Sequence, residues 1–230
     1  MCGRYKLITP TGNIVEEFNI RAGRPNLEAR YNIAPTQTAP VVRQTPNGRQ
    51  LALLRWGLIP SWAKDSKFAA STINARAETV AEKPAFREAL KSRRCLVIAD
   101  GFYEWKTEAG EKQPYQFARK DGRLLAFAGL WERWEKGPEP IESFTIIVTS
   151  SNDLVRTVHD RMPVILDPAD FDTWLDAERH GPAQVLDLLK PYAADDMKAE
   201  PVSRKLNNVR NEGAEILTDQ DAGAAPWRLL

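Results

Sequence analysis

The sequence predicts a single α+β domain with a twisted, mostly antiparallel β-sheet or barrel-like core and peripheral helices. Short strand-like runs rich in β-branched and aromatic residues follow one another along the chain, and only a few short helical segments lie between them. No internal repeat and no Gly/Ser-rich linker marks a second domain. We therefore expect one domain over residues 1–220 and a polar C-terminal tail over residues 221–230.

The predicted strands share dense apolar or alternating patterns bounded by turn residues. They cover residues 40–43, 51–56, 95–99, 102–106, 115–118, 124–131 and 144–149. Asn47-Gly48 predicts a hairpin between the first two segments, and Asp121-Gly122 predicts another between the fifth and the sixth. Trp56, Trp105 and Trp131 lie within strand patterns, so we expect them in the core.

Four helices are expected around the sheet. Their predicted ranges are 11–18, 83–91, 167–175 and 182–189. Asp167 followed by Pro168 has the residue types that favour an N-cap and the first helical position.

The composition is that of a folded globular protein, because 43% of the 230 residues are hydrophobic and 27% are charged. No apolar run reaches the ~20 residues that span a bilayer, and the N-terminus lacks the apolar stretch of a secretory signal, which favours a cytoplasmic protein. Residues 1–100 contain 16 Lys/Arg against 8 Asp/Glu, although the net charge of the chain is only +1. These charges either form a basic face or are scattered over a solvated surface.

Cysteine and histidine are too few and too scattered for a structural zinc site or a disulfide framework. Only Cys2, Cys95, His159 and His180 are present. We predict no metal and no cofactor. Cys95 lies in an apolar strand and is expected to be an inert buried thiol.

Cys2 can become a double nucleophile at the start of the chain. Removal of Met1 would leave an α-amine with a pKa of ~7.7–8.0 beside a thiol with a pKa of ~8.5, so both would be partly deprotonated near neutral pH. Such an amine forms a Schiff base with an aldehyde, and the thiol can close on the imine carbon to give a thiazolidine. The plainer interpretation is an ordinary small residue next to the initiator methionine.

Other polar residues have a catalytic and a structural interpretation side by side. His159 is the leading acid–base candidate of the two histidines, although a lone histidine is more often structural. Glu104 lies between two aromatic residues and would have a raised pKa if it faced inward, or an ordinary one on the solvent face of its strand. Asn74 either binds a substrate oxygen or closes a turn, and Trp62 either stacks on a base or folds back onto the protein.

Six ordered motifs together resemble the SRAP family, the SOS response-associated peptidases or abasic-site processing proteins. They are residues 1–5 (MCGRY), 30–35 (RYNIAP), 56–62 (WGLIPSW), 74–79 (NARAET), 100–105 (DGFYEW) and 159–163 (HDRMP), with shorter matches at 201–203 and 207–209. The resemblance spans nearly the whole chain. It implies a protein that binds single-stranded DNA at abasic sites and links to the opened sugar through an N-terminal cysteine, as a thiazolidine.

The resemblance also implies roles for individual residues. It makes Cys2 the nucleophile, Asn74 the residue that orients the sugar, and Glu104 and His159 the acid–base groups. It further implies removal of the protein's own Met1 and lyase-like Schiff-base chemistry. The candidates for DNA contact are Arg4, Asn32, Pro35, Trp62, Arg76, Thr149, Ser150, Arg161 and Ser203.

On this view the protein is a monomer that binds damaged single-stranded DNA at the nucleoid and forms its adduct during the SOS response to DNA damage. Two other functions stay open on the sequence alone. One is a cysteine peptidase that acts on other chains through a Cys2–His159 dyad. The other is a single-stranded DNA-binding module without covalent chemistry.

Overall fold

The computed structural model describes residues 2–108 and 110–218. Its strands are Arg4–Leu7 (β1), Ile20–Ala22 (β2), Arg30–Ile33 (β3), Thr38–Thr45 (β4), Gly48–Trp56 (β5), Asn74–Arg76 (β6), Arg94–Ala99 (β7), Gly101–Glu108 (β8), Glu111–Arg119 (β9), Leu125–Trp134 (β10), Ile141–Ser150 (β11), Arg161–Pro163 (β12) and Met197–Pro201 (β13). Its α-helices are Thr11–Glu17 (α1), Arg87–Ser92 (α2), Asp153–Arg156 (α3), Phe171–Leu175 (α4) and Pro182–Val185 (α5). Its 3-10 helices are Ser66–Ser71, Pro168–Asp170, Leu186–Leu188, Ala194–Asp196, Arg204–Asn207 and Ala214–Leu217.

Five strands close into a barrel. The strands pair in the order β11-β10-β7-β4-β5, and β5 returns to β11 through a parallel pairing of Trp56 with Phe144. The other four pairings are antiparallel. The predicted α+β fold with a mostly antiparallel, barrel-like core is therefore confirmed.

A second antiparallel sheet, in the order β13-β9-β8-β1-β3, packs against the barrel. Aromatic rings join the two sheets: Tyr5 of β1 contacts Trp56 at 5.2 Å and Phe127 at 6.1 Å, and Phe102 of β8 contacts Phe127 at 6.0 Å between ring centroids. All four side chains are fully buried. This packing fixes the positions of β1 and β8. The N-terminal residues lie next to these two strands.

Most of the predicted elements are present, with shifted ends. The hairpin at Asn47-Gly48 is confirmed, since Thr45 pairs with Gly48, which adopts a φ of +100°. The first and third predicted helices correspond to α1 and to a 3-10 turn that continues into α4. The second begins only at Arg87, because Pro84 lies in a preceding series of turns rather than in the helix itself.

The predicted hairpin at Asp121-Gly122 is wrong. A turn is present there, but β9 pairs with β8 and β13, whereas β10 pairs with β7 and β11, so this turn carries the chain from one sheet to the other. The true partner of β9 is the strand before it, β8, in a register that places Glu104 opposite Tyr115. A local turn signal identified the change of direction but not which sheet follows it.

The predicted tail at residues 221–230 lies outside the described residues. Within the described ranges, no helix combines the length and the apolar character needed to cross a membrane. Both cysteines there are buried free thiols.

Candidate functional site

A cavity of about 610 Å³ opens where the N-terminal segment meets β8. Gly3 and Arg4 line it together with Glu104 and Trp105 of β8. Arg4 pairs with Tyr103 across the two strands, so continuing the register by one residue brings Gly3 opposite Glu104. Further lining residues come from distant segments: Pro35, Lys112, His159 and Asn207.

Glu104 is a buried carboxylic acid on the wall of this cavity. It is 2% exposed, and its Oε1 atom lacks a hydrogen-bond partner in the described structure. Burial raises the pKa of this carboxyl to about 7, and the charge of Asp160 adds to the effect. Glu104 therefore faces inward, as the catalytic interpretation requires, and both its protonation states are populated near neutral pH.

Cys2 is fully buried beside Glu104. Burial, and then the charge of Glu104, raise the pKa of the thiol well above its ordinary value. In the chain that carries Met1, the low dielectric and the nearby carboxylate both oppose a thiolate. The thiol is protonated at neutral pH. The expectation of a partly ionised thiol concerns the chain without Met1 and stays a prediction.

His159 reaches the same cavity from the loop between α3 and β12. The loop is anchored on both sides, since the amide of His159 donates to Val155 at 2.8 Å and the amide of Arg161 approaches its Nδ1 atom at 3.0 Å. An Asp160 Oδ1 atom lies 3.2 Å from Nδ1. Burial lowers the pKa of the imidazole, which favours the neutral ring at physiological pH.

Asn74 begins β6, which pairs in parallel with β11 at Ile146. Its amide nitrogen lies 3.5 Å from the carbonyl of Ile146, and its buried Oδ1 atom lacks a hydrogen-bond donor in the described structure. Native proteins rarely leave such an atom unpaired. The side chain thus presents an acceptor that a ligand or an ordered water would satisfy.

Arg4 is held in place by neutral acceptors. Its Nη1 atom donates to Asn32 Oδ1 at 2.9 Å and to the carbonyl of Leu206 at 3.1 Å, and its guanidinium lies 5.7 Å from the centroid of the Trp105 ring. No ion pair to Arg4 occurs among the residues that the structure describes. Arg4 therefore places a positive charge at the cavity, and no carboxylate of the described residues pairs with it.

Comparison with known proteins identifies the family of this fold and site. The model of the family described as SOS response associated peptidase (SRAP) matches residues 1–209. The chain belongs to the SRAP family. The six motifs that resemble this family lie within the matched range, which includes all the cavity residues named above.

Several SRAP relatives carry names that describe an activity. The abasic site processing protein YoqW of Bacillus subtilis (strain 168) is 44% identical over 94% of this chain and 99% of its own length. The abasic site processing protein HMCES of Gallus gallus is 35% identical over 89% of this chain and 69% of its own length. A crystal structure of a protein from Bacteroides thetaiotaomicron has a TM-score of 0.84 at 27% identity, covering 95% of this chain and 99% of that one.

Four further candidates for DNA contact, Arg76, Thr149, Ser150 and Arg161, meet at one end of β11. Arg76 of β6 lies opposite Val148, and Arg161 of β12 lies opposite Ser150, beside Thr149. Arg76 and Ser150 are exposed, Arg161 is half-buried and Thr149 is 5% exposed. The fold thus brings two arginines that are far apart in the sequence to neighbouring positions.

Trp62 is an exposed aromatic residue of the loop between β5 and β6. It is 49% exposed, and its ring contacts Phe68 edge-on at 5.3 Å. Its indole nitrogen donates to the carbonyl of Pro84 at 3.3 Å. The ring is therefore positioned by two contacts and keeps about half of its surface accessible for stacking.

Asn32 and Ser203 were predicted to contact DNA, but both side chains are buried. Asn32 is fully buried, and its amide nitrogen donates to Asn208 at 3.1 Å and Asn211 at 2.9 Å while its oxygen accepts from Arg4. Ser203 is 4% exposed and caps a 3-10 helix by accepting from the amide of Lys205. Both side chains position the C-terminal segment instead.

Four cavity residues were not among the predicted site residues, and one of them is Gly3. Trp105 was expected in the core, but it is half-buried and donates to Asn207 Oδ1 at 2.6 Å. Lys112 and Asn207 complete the wall. Of the other two tryptophans expected in the core, Trp56 is fully buried, whereas Trp131 is half-buried and lies under Arg43. Alternation along a strand identifies one face, but not whether that face meets the core or an open cavity.

Proposed function

We propose that this protein processes abasic sites in single-stranded DNA by capturing the opened sugar covalently through Cys2, once Met1 has been removed. One observation carries the proposal: a buried carboxyl with a pKa of about 7 lies beside Cys2, on the wall of a cavity that His159 also lines. Membership of the SRAP family and the names of its relatives support abasic DNA as the substrate.

The chemistry balances without a cofactor. Hydrolysis of the Met1–Cys2 bond consumes one water, releases methionine and frees the amine of Cys2. That amine attacks the aldehyde carbon of the opened deoxyribose, and loss of one water gives an imine. The sulfur of Cys2 then bonds to the imine carbon while the thiol proton passes to the nitrogen, which closes the thiazolidine ring.

Glu104, His159 and Asn74 each have a proton or a hydrogen bond to handle, although Asn74 is not among the residues that line the cavity. Glu104 takes a proton from the ammonium of Cys2, which frees the amine to attack, and returns this proton to the hydroxyl that leaves as water, since its pKa of about 7 allows both steps. The neutral His159 assists proton transfer at the sugar hydroxyl that is freed when the ring opens. Asn74 Oδ1, which lacks a donor, accepts a hydrogen bond from that sugar.

Positive charge and an exposed ring provide the contacts to the rest of the strand. Arg4, Arg76 and Arg161 bind phosphates next to the lesion, and Trp62 stacks on a base. Pro35, which lines the cavity, and Thr149 and Ser150, near the two arginines of the barrel, flank the path of the strand. Binding should weaken as salt rises, because phosphate contacts release counterions.

Intact mass spectrometry with Cys2→Ala and Cys95→Ala tests this function. After incubation with a single-stranded abasic oligonucleotide, we expect the wild type and Cys95→Ala to gain the mass of the oligonucleotide minus one water. Cys2→Ala should gain no mass but should keep its affinity for the strand. An adduct of normal yield on Cys2→Ala would overturn the mechanism.

The same samples separate the two alternative functions. Equal affinity for intact and abasic strands, with no adduct on the wild type, would identify a non-covalent binding module. Turnover of unrelated peptides by the wild type but not by Cys2→Ala would identify a peptidase that acts on other chains. The mass of the purified wild type also reports whether Met1 has been removed.

A further inference from the structure

The three arginines assigned to phosphate binding differ in what holds them in the free protein. Arg4 is held by neutral oxygens, and Arg76 makes no ion pair within the described ranges. Arg161 instead forms a hydrogen-bonded ion pair with Glu78, which follows β6. Glu78 is the only carboxylate that pairs with any of these three guanidinium groups in the part of the chain that the structure describes.

The ion pair occupies the group that a phosphate would use. A carboxylate and a phosphate both offer oxygen pairs to the same guanidinium donors, so they compete for one arginine. The side chain of Arg161 is only 25% exposed while that of Glu78 is 50% exposed, so the carboxylate is the more accessible partner of the pair. Arg76 lies close enough for its charge to act on Glu78 as well.

We propose that Glu78 is a specificity-determining residue that occupies Arg161 until a DNA phosphate replaces it, and so weakens binding to undamaged single strands. The proposal rests on the proposed function, because it takes Arg161 as a phosphate ligand. An exposed or half-exposed ion pair is worth little, so a phosphate displaces Glu78 at modest cost. A strand with an abasic site stays bound in spite of this cost, because it becomes covalently attached. An intact strand forms no covalent bond and dissociates.

Glu78→Gln is the decisive variant, because it removes the charge and keeps the shape of the side chain. Affinity for an intact single-stranded oligonucleotide should rise by about two- to fivefold at low salt, which is the range expected when an exposed ion pair no longer has to be broken to free Arg161. The dependence of log K on log salt should become steeper by up to ~0.7, the contribution of one phosphate contact on a single strand.

Two further variants provide the controls. Glu82→Gln changes an exposed acid four residues away that makes no ion pair among the described residues, so it should raise affinity by much less than Glu78→Gln. Glu78→Gln combined with Arg161→Ala should bind no more tightly than Arg161→Ala alone. Thermal unfolding of each variant, checked against the wild type, excludes a change caused by loss of folding.

The outcomes separate this inference from the proposed function. Unchanged or weaker binding by Glu78→Gln, in a protein whose wild type binds single strands and forms the abasic adduct, would overturn the role of Glu78 alone. A gain that persists in the double variant would overturn it too, because the gain would not pass through Arg161. A wild type that binds no single-stranded DNA would overturn both.

Discussion

Replacement of Glu104 by Gln removes an ionisable group from the buried wall of the cavity while keeping the shape of the side chain. Burial raises the pKa of this carboxyl from its ordinary 4.5 to about 7 in the folded protein. Ionising Glu104 in the folded state is therefore less favourable than in the unfolded chain by about 3 kcal/mol. This free energy makes the stability of the wild type depend on pH through a single side chain.

The direction of the effect follows from the raised pKa. Below pH 4.5 the carboxyl is protonated in both states, and its contribution to stability is fully present. As the pH rises through 7, the folded protein must hold a buried carboxylate, and this contribution is lost. Because Gln stays neutral, the free energy of unfolding of Glu104→Gln minus that of the wild type should increase by about 3 kcal/mol between pH 4 and pH 8.

Urea unfolding at several pH values measures this difference, and Glu132→Gln serves as the matched control. Glu132 is also buried, but it is paired with Arg93 at 2.9 Å, so its replacement should lower stability at pH 8 rather than raise it. The rate of cross-linking should fall in Glu104→Gln and lose its inflection near pH 7. A stability difference that stays constant from pH 4 to pH 8 would refute the buried, uncompensated carboxyl.

Two further substitutions test the DNA path. Asn32→Ala should lower the free energy of unfolding by about 1–3 kcal/mol, because it removes the amide donor to the partly buried carbonyls of Asn208 and Asn211. It should also reduce the salt dependence of DNA binding by ~0.7, as we expect for Arg4→Ala; an unchanged salt dependence would show that Arg4 needs no support from Asn32. Trp62→Ala should weaken single-strand binding by about 1–3 kcal/mol. Trp131 packs under Arg43, so Trp131→Ala should leave DNA affinity unchanged. Equal effects of the two substitutions would contradict the stacking role of Trp62.

Local patterns predicted the long central strands well, because these strands have strong patterns of their own. β7 consists of buried residues throughout, and β5 ends in the fully buried Trp56. Short strands such as β6 and β12, of three residues each, carry too little pattern to be predicted and exist because β11 offers them partners. Partner choice in β9 and β10 likewise depends on tertiary packing, which a turn dipeptide does not encode.

The candidate site was predictable where residue type limits chemistry, and less so where packing decides. Cys2, Glu104 and His159 stood out because few side chains can act as a nucleophile or as an acid–base group, and the fold brings Glu104 and His159 to the same cavity. Asn32 and Trp105 have side chains that suit either a surface or an interior. Asn32, expected to contact DNA, is fully buried, and Trp105, expected in the core, is half-buried on the wall of the cavity. The paired acid of Arg161 had no signal in the sequence, since Glu78 lies 83 residues away from it.

The burial of Cys2 determines the order of the proposed steps. While Met1 is attached, the nitrogen of Cys2 is a peptide amide, and burial together with the charge of Glu104 keeps its thiol protonated. Removal of Met1 turns the amide into an amine whose ordinary pKa is ~7.7–8.0, whereas the thiol still lies beside a carboxylate that opposes its ionisation. The amine must then attack first and form the imine. The sulfur adds second, as a thiol that passes its proton to the imine nitrogen. A folded chain that keeps Met1 is therefore expected to bind abasic strands without reacting with them.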